Sequence, residues 1–148
     1  MTTTLVAPET IPIPASHLDL LTRPICAVLT TMLPDGQPQS SLVWVDHDGE
    51  CVVVNTTLER QKGRNLLANP KLSLLIIDPD DTGRFLQIRG DAELITDGAL
   101  EQLDAETSKY TRHPHYYGFI YPTEQQARET RVICRIHARR ITLDAIHA

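Results

Sequence analysis

Aromatic side chains are scarce in this chain. Only 5% of its 148 residues are Phe, Trp or Tyr, and there is one tryptophan, Trp44. A core must therefore be filled by aliphatic side chains. Val, Ile and Leu fall in short runs that suit strands better than a helical bundle. Cysteine is also rare: Cys26, Cys51 and Cys134 are odd in number and far apart, with no CxxC pattern. That excludes a disulfide framework. Each lies in an apolar run and reads as a buried, reduced thiol. No apolar run approaches the ~20 residues needed to span a bilayer. Positive charge is not in excess, with a formal net charge of -5 and a pI near 5.6, which argues against a nucleic-acid binder. There is no GxGxxG and no Walker motif, so a Rossmann or P-loop nucleotide site has no support. Ser40 and Ser41 lack a GxSxG context, so neither reads as a nucleophile.

The length fits one domain with one core. Residues 1–14 are rich in Thr and Pro and lack the basic start and apolar centre of a secretory signal. They are expected to form a flexible arm, with residues 15–148 as a single domain in the cytoplasm. Ser16 is positioned to cap a short helix through Leu21, with Asp19 at the capping-box position. Strands are expected over residues 25–32, 39–45 and 50–56. The first turn is Leu33-Pro34-Asp35-Gly36 and the second is Asp46-His47-Asp48-Gly49. Residues 59–68 change to helical period and stop at Asn69-Pro70. Strands follow over 72–77 and 85–95, with Gly90 marking a bulge or bend. Residues 98–110 read as a helix with Ala99, Leu100, Leu103 and Thr107 on one face. A short polar helix over 123–129 precedes a last strand or bent pair over 131–136 and 139–146. The expectation is a mainly β fold of six antiparallel strands with a few short helices, closing to hide its edges.

The chemistry is concentrated between Val52 and Pro70. A strand ends in Asn55, Thr56 and Thr57, and a helix then opens with Arg60, Lys62 and Arg64. A helix start offers unpaired N–H groups and a partial positive charge. Hydroxyls and cations beside it complete an anion site, since arginine can grip a phosphate through two parallel bonds. The alternative is a solvated helix face whose cations hold nothing.

The run NTTLERQKGRNLLANPKLSLLIIDPDD, followed by LQIRGDAELI and preceded by DGQPQSSLVWVDHDGE, resembles the FMN-binding split-barrel superfamily that includes pyridoxamine-phosphate oxidase. It is more similar to the branch that uses the deazaflavin coenzyme F420. The K-x-x-N-L-x-x-N-P element is its most specific part. The resemblance implies a six-stranded split β-barrel and a homodimer, with the cofactor lying across the barrel at the subunit interface. It implies hydride transfer between coenzyme F420 and a small organic substrate, with no obligatory acid or base nominated. Carried over, the ring-contacting strand is Gln39, Ser40, Ser41, Leu42, Val43 and Trp44. Asn55, Thr56 and Thr57 are the next contacts, and Lys62 with Arg60 holds the phosphate. Residues 78–84 and Phe85 fall near the far edge of the site. The oxidase carries an arginine directly before the lysine, where this chain has Gln61, whereas R-x-K spacing agrees better with the F420 branch. The alternatives are an FMN-dependent oxidoreductase of the oxidase type, a non-catalytic flavin or deazaflavin carrier, and a cofactor-free anion-binding domain. F420 carries an acidic tail beyond its phosphate, which Arg64, Lys71, Arg84 and Arg89 are candidates to meet.

Trp44 is a candidate ring contact, with a packing or interface role as its alternative. His113, His115, Tyr116 and Tyr117 cluster in a stretch without periodicity. No Cys or acidic ligand falls at a spacing suited to metal, so no metal site is assigned. An ordinary surface loop is the default there, and a loop closing over substrate is the functional alternative.

Overall fold

The structure, a computed structural model, describes residues 10–145. Seven strands form one antiparallel sheet: β1 (Ala27–Met32), β2 (Pro38–Val43), β3 (Asp46–His47), β4 (Val52–Thr57), β5 (Lys71–Ile77), β6 (Phe85–Ile95) and β7 (Arg131–Leu143). Their spatial order is β2-β1-β5-β6-β7-β4-β3, so the outermost strands, β2 and β3, are the sheet's edges. Three α-helices, α1 (Asp19–Thr22), α2 (Gln61–Ala68) and α3 (Ala99–Thr111), are joined by 3-10 turns at Ala15–His17 and Thr123–Arg128. Among the described residues no helix is long and apolar enough to cross a membrane.

The strand count corrects the expected six. Residues 46 and 47, read as part of a turn, pair with β4 through Asp46↔Val53 and His47↔Val52. The turn begins two residues later, at Asp48. There Asp48 Oδ1 accepts the N–H groups of Glu50 and Cys51 at 3.0 and 2.7 Å, and Gly49 takes φ +99°, the left-handed region that favours glycine. The last segment is one continuous strand. Its bend lies where the register with β6 shifts between Arg89 and Gly90, which pair with Arg140 and Ala138 and leave Arg139 as the extra residue. A Cβ on Gly90 would lie 2.3 Å from the His137 carbonyl oxygen, so the close crossing at this bulge requires glycine.

Alternation along the strands sends one set of side chains inward. Leu29, Val54, Leu74, Ile76, Leu86, Ile88 and Ile136 are fully buried on that face, and α1 and α2 close it with Leu20, Leu21 and Leu66. One expectation at the N-terminus changes. Ser16 does not cap α1, because its hydroxyl bonds to His17 Nδ1 at 2.8 Å while Arg84 engages Asp19. Of the expected flexible arm, residues 1–9 lie outside the described residues. The Ile11 N–H bonds to the Ala138 carbonyl, and Thr10 Oγ1 sits 2.7 Å from His137 Nδ1.

Candidate functional site

The link from β4 to α2 is held tightly. Thr57 Oγ1 accepts the Arg60 N–H at 3.2 Å. The helix then passes so near the strand end that a Cβ on Gly63 would lie 1.9 Å from the Thr57 carbonyl oxygen. Arg60 is the residue before the helix, and no side chain caps the first turn. The helix start and its cations are therefore fixed against the sheet rim.

That rim opens onto a cleft of about 220 Å³ between β2, β4, α3 and the aromatic loop after α3. Arg60, Lys62 and Arg131 contribute three cations to its wall. Arg131 is held on several sides. Its Nε donates to Tyr117 Oη at 2.9 Å, one guanidinium nitrogen donates to Asn55 Oδ1 at 3.3 Å, and the other pairs with Glu129 at 3.2 Å. The guanidinium lies 4.6 Å from the centre of the Tyr116 ring. Glu129 also lies 3.8 Å from Arg60. Lys62 has no carboxylate partner among the described residues, and its ammonium donates only to Ser41 Oγ at 3.3 Å. Burial, followed by the positive charges of Arg60 and Arg131, pushes its pKa below the usual lysine value. The cleft thus presents a cation in want of an anion.

The opposite wall is aromatic and apolar. Trp44 stacks on Tyr110 with centroids 5.2 Å apart and planes 14° from parallel, and meets Tyr116 edge-on at 6.3 Å. Leu103 and Ile120 complete this side. Glu106 also lines the cleft, although it is only 1% exposed. Burial raises its pKa to about 8, against the opposing effect of the Gln102 hydrogen bond.

The expected site residues divide. Leu42, Val43, Trp44, Asn55, Arg60 and Lys62 line the cleft, and Ser41 reaches it through Lys62. The others point elsewhere. Gln39 bonds to Asn65 of α2, and Ser40 pairs with Thr30 at 2.8 Å. Thr56 is fully buried, with a hydroxyl that lacks a partner. Thr57 is buried and serves the turn. Arg64 is tied to the Glu59 carbonyl and the Gln61 side chain. Phe85 begins β6 beside Ile77 and next to Leu143, at the far end of β7 from Arg131. In the 78–84 loop, Arg84 is engaged by Asp19 and Asp78. Lys71 and Arg89 lie instead on a separate hollow of about 590 Å³ formed by β1, β5, β6 and β7.

Three features were not anticipated. Arg131 carries no sequence signal beyond the start of a strand. Glu106 was not distinguished from other polar residues of its helix. Cys26, expected to be buried, is exposed and lines the cleft, while Cys51 and Cys134 are buried. In the aromatic loop Tyr116 joins the cleft wall. His113 stacks on Phe119 at 4.1 Å, and His115 faces Asp104 at 3.3 Å.

The sequence profile described as pyridoxamine 5'-phosphate oxidase matches residues 13–143. Among solved structures, an F420 reductase is 31% identical with a TM-score of 0.74, covering 88% of this chain and 98% of that one. A conserved hypothetical protein from Mycobacterium tuberculosis is 26% identical with a TM-score of 0.69, covering 95% of this chain and 89% of that one. The chloroplastic non-canonical heme oxygenase HOZ of Arabidopsis thaliana is 35% identical over 101 residues, 64% of this chain. The chain spans only 30% of that relative's length.

Proposed function

We propose, for a chain that belongs to the pyridoxamine 5'-phosphate oxidase family, that the cleft binds coenzyme F420 and serves hydride transfer to or from a small organic substrate. The observation that carries this reading is Lys62. It is an ammonium group drawn out of water beside two guanidiniums, with a serine hydroxyl but no carboxylate to answer it. A phosphate placed there would gain charge-assisted bonds and relieve that repulsion. The similarity to the F420 reductase covers nearly the whole of both chains and favours the deazaflavin over FMN.

The bound deazaflavin would supply the hydride chemistry, and the protein's part is to bind, orient and exclude water. Lys62, Ser41 and the uncapped first turn of α2 would hold the phosphate. Trp44, fixed by its stack on Tyr110, offers a flat face for the ring. Arg60 and Arg131 are anchored by Glu129, so they present charge at fixed positions beside Lys62. Arg64, one turn along α2, is the candidate cation for the acidic tail, whereas Lys71 and Arg89 lie on the separate hollow and are left out. Arg84 is engaged elsewhere and drops out. We further propose that a second copy completes the cleft as a homodimer. Leu42, 69% exposed on edge strand β2 beside the cleft, is an apolar group for such a partner to cover. The three cysteines are free thiols, in keeping with the cytoplasm.

Fluorescence titration of the purified protein with F420 and with FMN, at matched ionic strength, tests this reading. Tighter binding of F420 is expected. Equal or tighter binding of FMN would remove the deazaflavin assignment.

A further inference from the structure

We infer that Glu106 is the proton donor of the cleft, delivering a proton to the substrate as hydride arrives from the cofactor. The inference rests on the reading of the cleft as a hydride-transfer site.

A hydrogen-bond chain with a fixed direction leads to this residue. Arg131 can only donate, and it donates to Asn55 Oδ1. That orients the Asn55 amide. Its Nδ2 then donates to the Ala99 carbonyl at 2.7 Å and to Gln102 Oε1 at 2.8 Å. Gln102 is oriented in turn, and its Nε2 donates to Glu106 Oε1 at 2.8 Å. Every link points toward Glu106, so Oε1 is committed as an acceptor. Oε2 takes no hydrogen-bond partner among the described residues, and the side chain forms part of the cleft wall. A proton on Oε2 is therefore free to be given to a molecule in the cleft and to nothing else nearby.

Burial, against the pull of the Gln102 hydrogen bond, keeps Glu106 the neutral acid at rest. Burial is the main effect, and Asp46 of β3 adds repulsion. Lys109 of the same helix and Arg131 of β7 oppose it only in part. The Tyr110 hydroxyl nearby bonds to the Ile25 carbonyl at 2.7 Å, so it does not compete for the Oε2 site. Lys109 donates to the Val45 carbonyl at 2.7 Å and to the Leu21 carbonyl. Its fixed ammonium is placed to stabilise the carboxylate once the proton leaves.

The step balances as a two-electron reduction. With a conjugated enone as acceptor, hydride supplied by the reduced deazaflavin would add to the electron-poor carbon of the C=C as its π electrons move toward the carbonyl. Glu106 gives H⁺ to the oxygen or the adjacent carbon. The cofactor is oxidised, the substrate gains two hydrogens, and Glu106 is left as a carboxylate that solvent reprotonates. Acid catalysis of this kind typically contributes about 10²–10⁴-fold.

The test compares the parent with Glu106→Gln, which keeps the acceptor for Gln102 but has no proton to release. F420 affinity is read by fluorescence, and reduction of 2-cyclohexen-1-one by the F420-loaded, prereduced protein is followed across pH 8. Infrared difference spectroscopy of the protein alone reads the carboxyl directly. Glu106→Gln is expected to bind F420 as the parent does and to reduce the enone about 100-fold more slowly. The parental rate should fall as pH rises through about 8, with no such step in the variant. A protonated-carboxyl C=O band should be present in the parent at neutral pH and missing in the variant. Parental rate and pH profile in Glu106→Gln, or no such band at neutral pH, would overturn the assignment while leaving the cofactor reading intact. A parent that binds neither F420 nor FMN would fail before the acceptor is added and would remove the functional reading and this inference together.

Discussion

Replacing Lys62 by methionine should change stability and binding in opposite directions. The methionine keeps most of the aliphatic stem and loses the ammonium. In the cofactor-free protein that ammonium is desolvated and sits beside Arg60 and Arg131, so its charge works against folding. The folded-state pKa lies below the unfolded one, so the unfolded chain binds the proton more tightly. The penalty is therefore fully present below the folded pKa and eases as pH rises through it toward the unfolded value. Lys62→Met should accordingly melt at the parental temperature or higher. Binding should move the other way. A hydrogen bond to a charged group is worth about 1.5–3 kcal/mol, so F420 affinity should fall roughly 10- to 150-fold. The salt dependence of binding should also weaken, because one screened contact is gone. Thermal melts paired with fluorescence titrations at several salt concentrations measure both effects. Lys71→Met is the control: Lys71 lies on the separate hollow rather than the cleft and should cost much less. Parental F420 affinity in Lys62→Met, or a larger loss in Lys71→Met, would refute the placement of the phosphate.

Other perturbations test the framework around the cleft. Gly63→Ala would place a Cβ 1.9 Å from the Thr57 carbonyl oxygen. It should cost about 2–3 kcal/mol by chemical denaturation, and F420 affinity should fall as α2 moves away. Arg131→Lys keeps the charge but cannot bridge Tyr117, Asn55 and Glu129 together. Its melting temperature should drop, corresponding to about 1–3 kcal/mol, and an unchanged melt would mean that the bridge contributes little. Partial burial works to raise the Asp48 pKa, but the Arg135 bond and the Cys51 and Glu50 N–H groups outweigh it and hold the pKa at about 2. For this partly exposed group, Asp48→Asn should cost about 1 kcal/mol near neutral pH after solvent screening. The gap should close as pH falls through about 2, where the parental carboxylate is itself protonated. A pH-independent gap would contradict this.

Much of the fold could be read in the sequence because its signals are local. The β6 bounds, the Gly90 irregularity and the stop of α2 before Pro70 follow from alternation, backbone crowding and the restriction before proline. Strand β3 was missed because two residues carry no period, and only β4 makes them a strand. The site was half legible for a geometric reason. Position along β2, and not only the alternation of faces, separates its residues: Gln39 and Ser40 bond to Asn65 and Thr30, while Leu42, Val43 and Trp44 at and beyond the strand's end line the cleft. Thr56, next to Asn55, points into the core by the same alternation. Arg131 meets Asn55 across 76 positions of sequence, and nothing near it in the chain signals that contact. Glu106 did carry a signal. It stands three residues after Leu103 and one before Thr107, so helical spacing puts a carboxyl on the buried face.

The most direct test is a crystal structure of the protein soaked or co-crystallised with F420. The expected result places a phosphate oxygen within hydrogen-bonding distance of Lys62 Nζ and Ser41 Oγ, with the deazaflavin ring against Trp44 and facing Glu106. F420 bound in the hollow beside Lys71 and Arg89, or bound in the cleft with its phosphate away from Lys62, would contradict the account.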